Sequence, residues 1–308
     1  MMLSTHRSES KLIIAAALEE ELSSIKKQMD GYSDVSFHTV GIGPRMAYQG
    51  VRSMLGNGST MERSPLLLLV GFAGAVDPSL RSGDLVMSNR YYRKTVNSGP
   101  LTTETNGGPL ASRQSNDPVS LDFLEPDQIM NECALKAANA VGVSLVTSPS
   151  LTVDRLIASP AEKRAVFQQN LVAIVNMEDY WAAAAAREAG VSFLSVRAVV
   201  DVADQNLPDY LPSVSEPRYR VAMSTISHPW RVATLTRLGM QMRRSQRSLA
   251  RFAGSFIAMI TNTPDADFLV SASDAGNSGQ LSHFNQSSSD SVGLDLQVNP
   301  YSVAGFTK

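Results

Sequence analysis

Three apolar runs in this chain each end in a carboxylate, and a carboxylate at a strand end is well placed to move protons for a bound ligand. KLIIAAALEEEL sets Glu19, Glu20 and Glu21 behind one run, LVAIVNMED sets Met177 and Glu178 behind a second, and VSFLSVRAVVD ends a third on Asp201, with Arg197 inside it. Carboxyl groups held in different surroundings divide into an acid and a base. Two glycine-bearing stretches follow further apolar runs: GIGPR, with Gly43 and Arg45, and GFAGA, with the turn Gly71 to Gly74 that contains Phe72 and Ala73. A glycine turn that opens a helix beside an arginine suits an anion such as phosphate. Glycines elsewhere let a ligand approach the backbone closely. Each feature also has a plainer reading: acidic residues complement a helix N-terminus, glycines make tight turns, Asp201 and Asp204 cap or turn, and Arg45 is solvated on a helix.

Composition removes several function classes. Cys133 is the single cysteine, and the four histidines have no HxxxH spacing, so there is neither a disulfide framework nor a metal motif. GIGPRM lacks the third glycine of GxGxxG, which leaves a nicotinamide-dependent oxidoreductase a poor reading. A net charge of -2 over 308 residues argues against nucleic acid as a partner. No apolar run approaches the roughly 18 residues of a membrane helix, and MMLSTHRSESK lacks a signal-peptide centre. The expected setting is cytoplasmic and reducing.

The elements that must position these groups alternate between continuous apolar strands and amphipathic helices. Leu22, Ile25 and Met29 follow the first strand at helical spacing; Pro44 suits a first helical position, with Met46, Val51 and Leu55 as an apolar face; Gly190 suits a helix stop after the alanine run. The pattern predicts an α/β fold with a largely central sheet, spanning residues 10–262. Residues 1–9 read as a loose tail, 95–128 as a loop-rich insertion, and 263–308, rich in Ser, Asn, Asp and Gly, as a disordered tail. Between Pro217 and Pro264 there is no acid, while eight arginines, including Arg237, Arg243, Arg244, Arg247 and Arg251, accumulate. A basic helix over 228–260 either packs across the sheet or rests on an anionic membrane surface.

Four segments in order resemble the purine nucleoside phosphorylase and methylthioadenosine/S-adenosylhomocysteine nucleosidase superfamily: KLIIAAALEEEL, VGIGPRMA, GFAGAVDPSLRSGDLV, and VNMEDYWAAAAAREAGVSFLSVRAVVDVAD. The last is the most specific, being similar to that family's MEA-type helix start followed by VRxxSDxAD. FAGAVDP, TVDRLIASPAEKRAV and HPWRVATLTRLGMQMRRSQRSLARF look more like the hopanoid-associated phosphorylase branch, which is thought to remove adenine from a lipid-linked 5'-substituted adenosine. The resemblance implies a three-layer α/β/α fold with a central mixed sheet, and cleavage of a purine N-glycosidic bond without cofactor or metal, by a homodimer. It makes Asp201 the acid for the leaving base, Glu178 the ribose anchor with Met177 against the sugar, and Glu21 the activator of water. Phe72, Ala73 and Gly74 would line the substrate, and Arg197 either orients a carboxylate or forms a structural ion pair. Gly43 and Arg45 are the candidate phosphate site, should phosphate be the co-substrate in place of water.

The chain departs from that family at three positions. Phe72 and Val200 stand where the family has serines, and both changes make the pocket more apolar, which points to a bulkier 5' group. Asn176 replaces an acidic residue before the Met-Glu pair. These departures also keep open a catalytically silent nucleoside-binding protein.

Overall fold

Runs of Leu, Ile, Val and Ala without polar interruption are stable as strands only where both faces are covered, and here they form the middle of one mixed sheet. The computed structural model describes residues 12–27, 34–56, 65–96, 119–207 and 229–262. The expected tails at 1–9 and 263–308, Met29, and the centre of the 95–128 stretch lie outside the described residues. In chain order the elements are β1 (Leu12–Ala16), α1 (Glu19–Lys26), β2 (Val35–Thr39), α2 (Pro44–Leu55), β3 (Leu66–Ala75), β4 (Leu85–Val96), β5 (Val119–Leu124), α3 (Gln128–Ala140), β6 (Leu145–Thr152), α4 (Pro160–Asn170), β7 (Ile174–Asn176), α5 (Asp179–Glu188), β8 (Ser192–Asp201) and α6 (Pro229–Asn262).

Strands β2, β1, β3 and β8 run parallel, and β8 then pairs antiparallel with β4. Strand β4 pairs parallel with β6, β6 parallel with β7, and β7 antiparallel with β3, so five strands close into a ring. Helices cover both faces. On one side Leu22 and Ile25 of α1, Met130 and Ala134 of α3, and Leu249, Phe252, Phe256 and Ile257 of α6 pack against even-numbered positions such as Leu66, Leu68 and Val70. On the other, Val51 and Leu55 of α2 and Ala182, Ala183 and Ala186 of α5 pack against Leu67, Leu69 and Phe193. Each large side chain fully buried in these layers contributes about 1.5–3 kcal/mol. The α/β/α layering follows from the period-2 division of every central strand.

Several local expectations hold with changes. Helix α2 starts at Pro44, and Gly190 follows α5 with a φ of +67°, a conformation open to glycine. The buried face of α2 is Ala47, Val51 and Leu55, at i, i+4 and i+8, whereas Met46 is 53% exposed. The stretch Gly71 to Gly74 is not a turn: it continues β3, paired with β8 through Gly74. Its small residues serve side chains arriving from elsewhere, since a Cβ on Gly71 would lie 2.3 Å from Arg197 Nη1 and one on Gly74 3.0 Å from Asp201 Oδ2. The loop-like 95–128 stretch carries β5, an edge strand antiparallel to β4. Helix α6 covers the basic stretch; its C-terminal half packs across the sheet, while Arg237, Arg243, Arg244, Arg247 and Arg251 are exposed. Among the described residues no helix is long and apolar enough to cross a membrane.

Gly50 shows how tightly α2 is set against the end of β2. An exposed helical Gly→Ala change ordinarily stabilises by about 0.5–1 kcal/mol. Here the new Cβ would lie 2.4 Å from the Val40 carbonyl oxygen and 2.7 Å from its Cα, atoms with no rotamer to yield. Gly50→Ala is therefore expected to destabilise by about 1–3 kcal/mol in denaturant unfolding; an unchanged or raised midpoint would contradict this packing.

Candidate active site

Between Phe193 and Val200, strand β8 is apolar except for Ser195 and Arg197, which it places on one face two residues apart. Arg197 has no exposed surface, so its charge requires partners from other elements. Asp179, equally buried in the first turn of α5, accepts from Arg197 Nε at 2.8 Å and from Ser195 Oγ at 2.7 Å on one oxygen. Its other oxygen accepts from Asn176 Nδ2 at 2.7 Å and Ser150 Oγ at 3.1 Å. Asn176 in turn receives the backbone N–H groups of Glu178 and Asp179, holding the start of α5. The substitution of Asn for an acid at this position thus supplies a donor to Asp179 that a carboxylate lacks.

Glu178 and Glu21 complete the cluster. Glu178, at the N-terminal boundary of α5, lies with Oε2 3.4 Å from Arg197 Nη2, and its Oε1 accepts from the Gly43 N–H at 3.1 Å. Burial raises the Glu178 pKa, with Arg197 and the Gly43 N–H opposing. Glu21 belongs to the acidic first turn of α1, yet unlike Glu19 it points inward and is 4% exposed. Its two oxygens accept from Phe72 N at 2.8 Å and Leu18 N at 2.9 Å. Burial lifts the Glu21 pKa from 4.5 to about 7, while Arg197 and the two backbone N–H groups pull against the shift. Burial opposes the charge on Arg197, but Asp179, Glu178 and Glu21 outweigh it and push its pKa up. The cluster holds three carboxyl groups against one guanidinium. Nη1 and Nη2 of Arg197 have no aligned hydrogen-bond acceptor, although Nη2 is 2.7 Å from Asp179 Oδ1.

Asp201 lies at the end of β8, next to a bulge. Register passes from Ala73–Val199 to Gly74–Asp201, skipping Val200, and an extra residue re-aims the side chain that follows it. The Asp201 carboxylate lies over Gly74 and accepts from Lys163 Nζ at 2.6 Å. Lys163, on α4, has no exposed surface and also donates to the carbonyls of Val202 at 2.8 Å and Gln205 at 3.1 Å. Burial raises the Asp201 pKa and Lys163 opposes it.

The structure therefore brings Glu21 and Glu178 to one guanidinium: Glu178 pairs with Arg197, Glu21 lies beside it at Gly71, and Phe72 contributes its N–H. Met177 is half-buried, its terminal methyl 3.9 Å from the position of a Cβ on Gly43. Ala73 and Gly74 lie in β3 facing β8, Gly74 beneath Asp201. The expected anion site is differently arranged: the Gly43 N–H is given to Glu178, whose carboxylate takes the place of an external anion, and Arg45 is exposed. Two polar residues escaped the sequence reading. Asp179 is implied by Arg197, since a buried arginine needs a buried acid, and Lys163 sits three residues before the buried Val166 on the inward face of α4.

Stability should report the buried state of Glu21. Its pKa is higher folded than unfolded, so the neutral carboxyl favours the fold below about pH 4.5 and that contribution is lost as pH rises through about 7. Glu21→Gln removes this titration. Between about pH 4.5 and about pH 8.5 the difference in unfolding free energy should move in favour of the variant by on the order of 3 kcal/mol. A difference that stays constant across that range would show that Glu21 titrates normally.

Comparison with known proteins agrees with this architecture. Futalosine hydrolase of Helicobacter pylori strain 26695 superposes with a TM-score of 0.57 at 17% identity, covering 80% of this chain and 97% of that one. The 5'-methylthioadenosine/S-adenosylhomocysteine nucleosidase of Campylobacter jejuni gives 0.57 at 18% identity, covering 82% of this chain and 100% of that one. The corresponding nucleosidase of Neisseria meningitidis, in complex with methylthio-immucillin-A, gives 0.54 at 17% identity, covering 80% and 97%. At these identities the likeness is one of fold. Residues 13–217, from the first strand through the turn after Asp201, match the family described as the Phosphorylase superfamily, and the chain belongs to that superfamily.

Proposed function

We propose that this protein cleaves the N-glycosidic bond of a purine nucleoside, a 5'-substituted adenosine, with water as the acceptor. The observation that carries the reading is Glu21: a buried carboxyl, fixed on two backbone N–H groups beside Arg197 and Glu178, with a pKa near neutrality. Such a group suits a base that activates water. Gly71 lies beneath Glu21 and Gly74 beneath Asp201, so both carboxyl groups stand at the same end of β3, where a ligand of an open sheet binds. Glu178 then binds the ribose hydroxyls and faces the positive charge that develops on the sugar. Asp201 protonates the departing purine, which leaves as a neutral base.

Charge supports water over phosphate. Three carboxyl groups share Arg197, the Gly43 N–H is already engaged, and Arg45 is exposed, so a phosphate dianion would meet net negative charge in a low-dielectric site. The 5' group is read as apolar. Leu18, 40% exposed at the start of α1, and Met46 beside Gly41 flank the ends of the neighbouring strands β1 and β2, and Phe72 and Val200 add no hydroxyl. The same apolar character fits the lipid-linked substrate implied by the resemblance to the hopanoid-associated branch.

Chromatography of the purified protein incubated with a panel of 5'-substituted adenosines should detect free adenine, released fastest from those with long apolar 5' groups. Asp201→Asn should lower turnover by roughly 10²- to 10⁴-fold, with circular dichroism unchanged. Tight binding of these nucleosides without release of base would replace the enzyme reading with a binding protein.

A further inference from the structure

The proposed reaction makes conflicting demands on two carboxyl groups, and Lys163 resolves them. Glu21 must be ionised to take a proton from water, which places the working range at or above about pH 7. Asp201 must carry a proton in that same range, yet it sits 2.6 Å from a fully buried ammonium group that favours its ionised form. We propose that Lys163 holds the proton that Asp201 delivers to the departing purine. Lys163 touches no substrate; it acts through Asp201, and the inference rests on the glycosidic-cleavage reading above.

The surroundings of the pair suit this role. Lys163 spends its three donors on Asp201 and on the carbonyls of Val202 and Gln205, which fixes Nζ against the carboxylate. Among the described residues, Lys163 is the charged group that faces Asp201. Strand β3 presents Gly74, α6 presents Gln241 hydrogen-bonded to Gln205, and in the following turn Asp204 is exposed. On α4, Glu162 pairs with Arg155 and Arg164 is exposed. Transfer from Nζ to the Asp201 carboxylate exchanges an ion pair for an amine and a carboxylic acid with no change in net charge. That exchange is least costly in a buried site, where solvation does not hold the ions apart.

The step balances. The bond from C1' to the purine breaks with its electron pair on the base, the acid form of Asp201 gives its proton to the base, and the amine of Lys163 remains. Water adds to C1' and gives a proton to Glu21. Solvent then returns that proton to Lys163, restoring both groups.

The test is the pH dependence of turnover in the full-length wild type, Lys163→Met and Lys163→Arg. Arginine keeps the charge and the carbonyl contacts but does not release a proton. Wild-type kcat should rise through about pH 7 and hold beyond about pH 8. Both variants should lose roughly 10²- to 10³-fold at about pH 8.5 and change KM by less than about threefold; Lys163→Met should lose much less at about pH 6, where a lone buried carboxyl keeps its proton, whereas Lys163→Arg, whose guanidinium still favours the ionised carboxylate, should not recover there. Equal loss at every pH in Lys163→Met, or rescue by Lys163→Arg, would assign Lys163 a purely structural role and overturn the proposal. If neither variant folds, the wild type decides: kcat falling through a carboxyl ionisation below about pH 7 overturns it, and activity sustained above about pH 8 supports it. A wild type that releases no base would refute the glycosidic-cleavage reading instead.

Discussion

The site depends on one constraint: an arginine with no access to water must be neutralised where it stands. Leaving such a charge unpaired costs several kcal/mol, so Arg197 dictates what surrounds it. Asp179 satisfies Nε and is itself held by Ser195, Ser150 and Asn176. Glu178 lies at a longer distance and shares its negative charge with the Gly43 N–H. Glu21 comes last, steadied by the charge of Arg197 and by two backbone N–H groups, and its burial is incompletely offset. A carboxyl group with a near-neutral pKa is the consequence. The same network that keeps β8, α5 and α1 together therefore produces the group best suited to accept a proton.

A second buried pair, Lys163 with Asp201, repeats the logic at the far end of the same strand. Here the cation comes from a helix and the acid from a bulged strand end. Between the two on β3 stand Phe72 and Ala73, while the polar centres themselves lie over Gly71 and Gly74. The role of the two glycines is close approach, which explains why a glycine-rich stretch runs as a strand instead of turning. The opposed charge patterns at the two ends, excess acid around Arg197 and a one-to-one pair at Asp201, suit opposite proton-transfer duties.

The strand ends were legible because apolar runs and the acids that follow them are local patterns. The cluster Glu19 to Glu21, Glu178 and Asp201 could be picked out by position alone, and Pro44 and Gly190 marked helix limits for backbone reasons that need no tertiary context. The separation of Glu21 from Glu19 needed the family resemblance, since all three acids suit a helix start equally. What stayed hidden depends on long-range approach. Asp179 adjoins a glutamate and reads as more helix-start acid until Arg197 is placed opposite it. Lys163 looks like a surface lysine within PAEKR, and only the packing of α4 turns it inward. The skip at Val200 is a property of pairing with β3, invisible in either strand alone. Strand β5 was masked by the polar composition around it, and the engagement of the Gly43 N–H, read from sequence as part of an anion site, depends on the Glu178 carboxylate 135 residues away in sequence.

If the net negative charge around Arg197 governs the chemistry, it also governs the choice of acceptor. The most direct test is to follow cleavage of a 5'-substituted adenosine with no phosphate and with saturating inorganic phosphate, identifying the sugar product by mass spectrometry. Free sugar formed at the same rate in both conditions is the predicted result. Strict dependence on phosphate, with a sugar 1-phosphate as product, would contradict it and shift the reacting anion to Gly43 and Arg45.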